Sequence, residues 1–111
     1  MPHFRFRAVE RKDVAKLTET LAEKLQPLMD CPQEDFTFEC VATEFFFSGQ
    51  PSEAYPFVDV LWFDRGQATQ DEVASILTQE VRHILNKPDQ DVAVIFTALS
   101  PAAYYDNGSH Y

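Results

Sequence analysis

The feature that most constrains the fold is an internal duplication. Residues 2–11 (Pro-His-Phe-Arg-Phe-Arg-Ala-Val-Glu-Arg) and residues 56–65 (Pro-Phe-Val-Asp-Val-Leu-Trp-Phe-Asp-Arg) align without a gap. Each run opens on proline, reads as a strand, closes on an acid followed by arginine, and leads into an amphipathic helix and a second strand. Two β-α-β units in tandem are therefore expected, each with a right-handed crossover between parallel strands. Joined head to tail, they predict an α+β two-layer sandwich: a four-stranded mixed sheet with two helices on one face.

Along the chain, strand one covers about residues 3–9, with Phe4, Phe6 and Ala8 on one face and Arg5, Arg7 and Val9 on the other. A helix follows from Asp13, a candidate cap, to about Gln26, because Val14, Leu17, Leu21, Leu25 and Leu28 form one stripe. Pro27 should kink or end it. Strand two is expected over residues 36–47, a linker over 48–54, strand three over 55–63, and strand four over 92–98. The second helix is predicted to begin at Gln70 behind a capping box of Thr69 and Glu72. Within its apolar stripe Glu80 is out of place, and Arg82 and His83 are its nearest basic neighbours in sequence. The layout is one domain: repeat one at 2–47, repeat two at 55–99, and an aromatic tail at 100–111.

Composition narrows the function. The formal charge is −9, which disfavours nucleic acid because phosphate contacts need clustered Lys and Arg. No apolar run approaches a membrane span, and no signal-peptide layout is present. Cys31 and Cys40 lie outside any CxxC or His-paired pattern and read as reduced thiols, so the expected location is the cytoplasm. His3, His83 and His110 show no metal-ligand spacing, and neither a metal nor another cofactor is expected.

The sheet face away from the helices needs cover. Val9, Val41 and Leu61 fall on it, so oligomerisation is expected. Arg5, Arg7, Glu39 and Asp59 share that face, and cross-strand ion pairing is the structural explanation for both arginines.

Pro2 carries the candidate chemistry. Initiator methionine is commonly trimmed before a small residue, which would leave a free secondary amine. An apolar pocket lined by arginine would pull that amine toward neutrality, where a general base works best. The structural alternative is that Pro2 only starts a strand, a position where its missing N–H does no harm.

The N-terminal proline, the tandem halves, the Cys31-Pro32-Gln33-Glu34-Asp35-Phe36 approach to strand two and the Pro101-Ala102-Ala103-Tyr104-Tyr105 tail resemble the tautomerase superfamily. That superfamily contains 4-oxalocrotonate tautomerase, 5-carboxymethyl-2-hydroxymuconate isomerase and macrophage migration inhibitory factor. The stretches from Tyr55 to Gln67 and from Tyr104 to Gly108 are similar to a bacterial branch of unknown function.

The resemblance implies a homotrimer with pockets at subunit interfaces and a small anionic substrate. Pro2 would move a proton between carbons of a keto-enol substrate. The arginine ten residues after the proline in short family members falls on Lys12, with Arg11 one residue early. Arg11 and Arg65 would hold a carboxylate or enolate, and Trp62, Tyr104 and Tyr105 would line the pocket or pack between subunits. Cys31 replaces a lysine of the inhibitory-factor branch, and that branch's fourth-strand asparagine has no clear counterpart. Two other roles remain open: a non-catalytic homotrimeric binding protein, and a hydratase- or dehalogenase-like enzyme in which protonated Pro2 activates water.

Every catalytic reading needs Pro2 unblocked. Intact-mass analysis of protein from its native host should show a chain without Met1; retained Met1 would make the Pro2 nitrogen an amide and remove its basicity.

Overall fold

The computed structural model describes residues 1–111. Its elements are β1 (His3–Arg7), α1 (Arg11–Leu17), α2 (Leu21–Met29), β2 (Thr37–Val41), β3 (Phe45–Phe47), β4 (Gln50–Ser52), β5 (Phe57–Trp62), α3 (Gln67–Leu85), β6 (Ala93–Ala98), β7 (Tyr105–Asp106) and β8 (Ser109–His110). Short 3-10 turns occupy Gln33–Asp35 and Pro101–Ala103.

The main sheet has the order β2-β1-β5-β6. β1 pairs with β2, and β5 with β6, in parallel, while β1 and β5 run antiparallel. This is the mixed sheet that two β-α-β units predict. In the β1–β5 register Arg5 lies opposite Asp59, and these residues also occupy equivalent places in the two repeats. A local two-fold axis therefore passes between them. The two prolines obey the same symmetry: the Pro2 carbonyl accepts the Thr37 N–H at 3.2 Å, and the Pro56 carbonyl accepts the Ala93 N–H at 3.0 Å. Both begin a parallel ladder, and both are buried.

The core lies between the sheet and the helices. Phe4 and Phe6 of β1 and Val58, Val60 and Trp62 of β5 meet Val14, Leu17, Leu21, Leu25 and Met29 below one repeat and Val73, Leu77 and Val81 below the other. Burying each of the larger aliphatic side chains contributes about 1.5–3 kcal/mol. The opposite sheet face remains open, with Ile95 of the edge strand β6 44% exposed on it. There Arg5 Nε meets Glu39 Oε1 at 3.1 Å and Arg7 Nε meets Asp59 Oδ2 at 3.0 Å, as cross-strand pairing predicts. Arg7 also lies over the Phe57 ring, 4.9 Å from its centroid.

Several expectations are corrected. Strand one stops at Arg7 because Ala8 is left-handed, with φ 61°. That reversal exposes Ala8 and buries Val9, opposite to simple alternation, so Val9 belongs to the core and not to the open face. The first helix starts at Arg11, without a side-chain cap from Glu10 or Asp13, and breaks at residues 18–20. There the Thr18 hydroxyl donates to the Ala15 carbonyl at 2.7 Å, and the Glu19 and Thr20 amides turn back to Lys16 and Leu17. Back-bonding threonine competes with the helical ladder, so the helical layer has three helices and not two.

Pro27 lies inside α2, which runs on to Met29 and ends at left-handed Asp30. The long second strand is in fact two. After β2 the chain forms the β3–β4 hairpin, turning through Ser48 (φ 50°) and Gly49 (φ 76°), the two positive φ values of a type I′ turn. The predicted linker is thus the turn and second strand of a hairpin.

α3 begins three residues early, behind Gly66 (φ 91°), whose N–H is held by Asp64 Oδ1 at 2.8 Å. The capping box at Thr69 is not used. Glu80 is partnered by Lys24 of α2, Nζ to Oε1 at 2.6 Å, and not by Arg82 or His83. Replacing Thr69 by Ala should therefore leave stability within about 0.5 kcal/mol in denaturant unfolding, whereas loss of a true N-cap costs roughly 1 kcal/mol.

Candidate active site at the proline end of the central strand

β1 is central in the sheet, so its first residues are hemmed in by the start of β2, the end of β5 and the segments that follow β5 and β6. The Pro2 side chain is fully buried, while Met1 is half-buried above it. Burial holds the Met1 ammonium below its ordinary value of about 8.0; the Arg65 guanidinium pushes the same way, and Cys31 and Asp35 oppose both. The end of the chain thus lies in a partly dry site with cationic and anionic neighbours.

Arg65 is placed by the loop that follows β5. Its Nη1 donates to the Phe63 carbonyl at 2.6 Å, and its guanidinium carbon is 5.9 Å from the Trp62 ring centroid. It takes part in none of the four ion pairs of the chain, so its remaining N–H groups are available to an anion. Trp62 itself is buried beneath, its ring tilted on Phe96 at 5.0 Å.

Tyr104 reaches the site from the C-terminal segment. Its ring packs edge-on against Phe63 at 5.5 Å and Tyr111 at 5.0 Å, and the Tyr111 N–H donates to its carbonyl at 3.1 Å. Its hydroxyl lies 2.6 Å from His3 Nε2 and 3.9 Å from Met1 Sδ. His3 Nδ1 is hydrogen-bonded to Thr37 Oγ1 on β2. Burial holds His3 below its ordinary 6.5, with the N-terminal ammonium and Arg5 acting in the same direction and Glu39 against them. Burial likewise raises the Cys31 thiol, despite the opposite pull of the N-terminal ammonium and Arg65, so this cysteine is a protonated wall residue and not a thiolate.

The structure therefore brings together Pro2, Trp62, Arg65 and Tyr104 of the sequence-predicted set. Arg11 and Lys12 lie beyond the far end of β1, about 17 Å along a five-residue strand, where Lys12 Nζ is 3.6 Å from Glu10 and both cations are exposed. Tyr105 is also outside the site, 63% exposed and packed edge-on against His110. His3 and Thr37 belong to the site although sequence reasoning left them out of it. Alternation on β1 places His3 on the open face, but the tyrosine it meets lies 101 residues away. No cluster of three or more His, Cys, Asp or Glu side chains is positioned to hold a metal ion.

A buried strand-opening proline at the mouth of a mixed sheet built from paired β-α-β units defines a protein of the tautomerase and macrophage migration inhibitory factor fold. Within that class, the chain belongs to the family described as domain of unknown function DUF1904, which matches residues 1–110. The DUF1904 structure from Sebaldella termitidis is 38% identical, with 100% of each chain covered and a TM-score of 0.91. A protein of unknown function from Vibrio cholerae is 43% identical over 99% of this chain and 87% of its own, with a TM-score of 0.88. A fused 4-OT, solved as an asymmetric trimer, shares the fold at 14% identity, with 97% of this chain and 94% of that one covered and a TM-score of 0.82. No match was found among curated proteins.

The depressed His3 value makes stability depend on pH. Above about 6.5 the imidazole is neutral in both states and its contribution is complete. As pH falls below that, the unfolded chain takes up a proton that the folded chain resists, so stability declines until the folded value is passed. Melting temperature measured from about pH 7.5 to 5 should fall less steeply in His3→Gln than in the wild type.

Proposed function

We propose that the chain, once Met1 has been removed, is a tautomerase-like isomerase acting on a small enol or keto carboxylate. The observation that carries this reading is the place of the N-terminal nitrogen: partly desolvated, beside Arg65, with its proton affinity lowered from the ordinary value. After processing, the Pro2 amine would meet the same surroundings. A site that disfavours the protonated form would raise the share of free amine, which takes a proton from the carbon next to a carbonyl and returns it to another carbon of the conjugated system. No atoms are gained or lost; the C–H bond broken at one carbon is replaced at another as the double bonds shift.

Arg65 supplies a planar fork for the substrate carboxylate and Tyr104 a hydroxyl for the oxygen that gains charge. Trp62 and Phe63 keep that oxygen away from bulk water, where each hydrogen bond would be weaker. A lowered amine value favours this base mechanism over the hydratase- or dehalogenase-like alternative, which needs a protonated proline.

Arg11 and Lys12 can contribute only from a neighbouring copy, since their own Pro2 lies at the other end of β1. The open sheet face and the β3–β4 hairpin supply apolar surface for such an assembly: Phe46 is 63% and Phe47 77% exposed. A homotrimer would cover these residues and close the pocket; fused 4-OT was solved as an asymmetric trimer. The same exposed surface favours a second reading, a non-catalytic homotrimer that binds a partner. Free Cys31 and Cys40 support a cytoplasmic setting.

Ketonisation of phenylenolpyruvate or 2-hydroxymuconate, followed by absorbance, tests the enzyme. Pro2→Ala in the processed protein should lower kcat/KM by roughly 100-fold or more, and Arg65→Ala should act mainly on KM. In the wild type, kcat/KM should rise with pH to a plateau reached below the ordinary value of a prolyl amine, because the folded site disfavours the protonated form. An unchanged rate in Pro2→Ala leaves the binding reading. Phe46→Ser with Phe47→Ser should shift the protein toward smaller species in analytical ultracentrifugation.

A further inference from the structure

Each repeat is followed by a hairpin, and each hairpin packs at the proline end of the other repeat. β3–β4 turns through Ser48 and Gly49 (φ 50° and 76°), and β7–β8 through Asn107 and Gly108 (φ 54° and 84°), so the two turns are of one kind. Counted from the two glycines, Phe45 corresponds to Tyr104, Phe46 to Tyr105 and Ser52 to Tyr111. Phe45 stacks on Phe57 with ring centroids 5.9 Å apart, and Tyr104 stacks on His3 at 5.7 Å. Phe57 and His3 are themselves equivalent, each following one of the matched prolines.

This internal comparison separates what the hairpin needs to seat itself from what is added at the Pro2 end. Two apolar rings suffice for β3–β4, and the residue across from Phe45 at its base is Ser52. At the base of β7–β8 that place is taken by Tyr111, whose N–H donates to the Tyr104 carbonyl at 3.1 Å. Its ring packs on Tyr104 at 5.0 Å and on Phe63 at 5.5 Å, while Phe63 and Tyr104 meet edge-on at 5.5 Å. Phe63 is in turn tied by its carbonyl to Arg65. Tyr105, Asp106, Ser109 and His110 are all exposed, so the contacts of Tyr104 and Tyr111 hold this hairpin to the body of the protein.

We propose that Tyr111 is a positioning residue: by clamping the β7–β8 hairpin onto Phe63, it keeps the Tyr104 ring against His3 at the mouth of the Pro2 site. A hairpin with strands this short is not stable by itself in water, and three rings in mutual contact fix the orientation that one ring would leave free. The catalytic consequence rests on the isomerase reading above, in which the Tyr104 hydroxyl meets the oxygen that gains charge. The clamp itself belongs to the folded chain.

His3 reports on the clamp without any turnover. Its value is held below the ordinary 6.5 first by burial, then by the N-terminal ammonium and Arg5, against the pull of Glu39. Opening the clamp lets water reach the ring, so the His3 midpoint in an NMR titration should rise toward 6.5 in Tyr111→Ala. Phe63→Ala, which removes the contact from the other side, should do the same. Tyr111→Phe keeps the packing and should leave the midpoint in place, and His83 on α3 is the internal control in every variant. Tyr111 is 52% exposed and outside the core, so its replacement leaves the fold intact. A His3 midpoint unmoved in both alanine variants overturns the proposal.

In turnover of phenylenolpyruvate by the processed protein, Tyr111→Ala should lower kcat about tenfold with KM little changed, as expected when a group that acts in the transition state is displaced. Tyr111→Phe should recover most of that loss. The double variant Tyr104→Phe with Tyr111→Ala should be no slower than Tyr104→Phe alone, and losses that multiply overturn the positioning role. If Pro2→Ala leaves turnover unchanged, the isomerase reading falls and the catalytic consequence with it, while the His3 midpoint still decides whether Tyr111 holds Tyr104 in place.

Discussion

The antiparallel contact between β1 and β5 is the constraint on which the rest depends. Each strand heads one repeat, and their pairing places Arg5 and Asp59 on a local two-fold axis while Phe4, Phe6, Val58 and Val60 go beneath the sheet together. Antiparallel strands carry their starts to opposite edges of the sheet, so Pro2 and Pro56 end up at opposite ends of the central pair. The duplication thus yields two similar strand-opening prolines with different surroundings.

Divergence between the halves has furnished one end and not the other. Past β5 the chain provides Phe63 and Arg65, and past β6 it provides Tyr104 and Tyr111, and these segments converge at the Pro2 end. The Leu99 N–H bound to the Trp62 carbonyl at 2.7 Å carries the β5–β6 ladder one step further and sets the course of the tail that follows. At that end a cation, a buried indole and a tyrosine hydroxyl lie near the partly desolvated N-terminal nitrogen. Burial disfavours the protonated Met1 ammonium there, and Arg65 acts in the same direction.

The open face of the sheet has a different physics. Its charges are neutralised in cross-strand pairs, Arg5 with Glu39 and Arg7 with Asp59, each partly exposed and each worth little alone. Pairing makes such a face tolerable against another protein surface, because charges that are already matched need no partner from the other side. The aromatic hairpin and Ile95 contribute apolar area next to them. Arg7 and Arg5 are thereby occupied, whereas Arg65, near Pro2, has no carboxylate partner.

Sequence alone determined what depends on period and repetition. The alignment of residues 2–11 with residues 56–65 was enough for the four-stranded sheet and a helical layer on one face, and Phe4, Phe6, Val14, Leu17, Leu21 and Leu25 were legible as core because burial imposes a regular spacing. Local backbone reversals were not legible: left-handed Ala8, the threonine break after Leu17 and the Ser48-Gly49 turn each depend on how neighbouring segments compete for hydrogen bonds. Pro2, Arg65 and Tyr104 could be named as residues, but only the tertiary structure decided that they meet while Arg11, Lys12 and Tyr105 stay away. Hydrogen bonds and charges act over a few ångströms, and the separations that matter, such as His3 to Tyr104, are bridged by the sheet and not by adjacency along the chain.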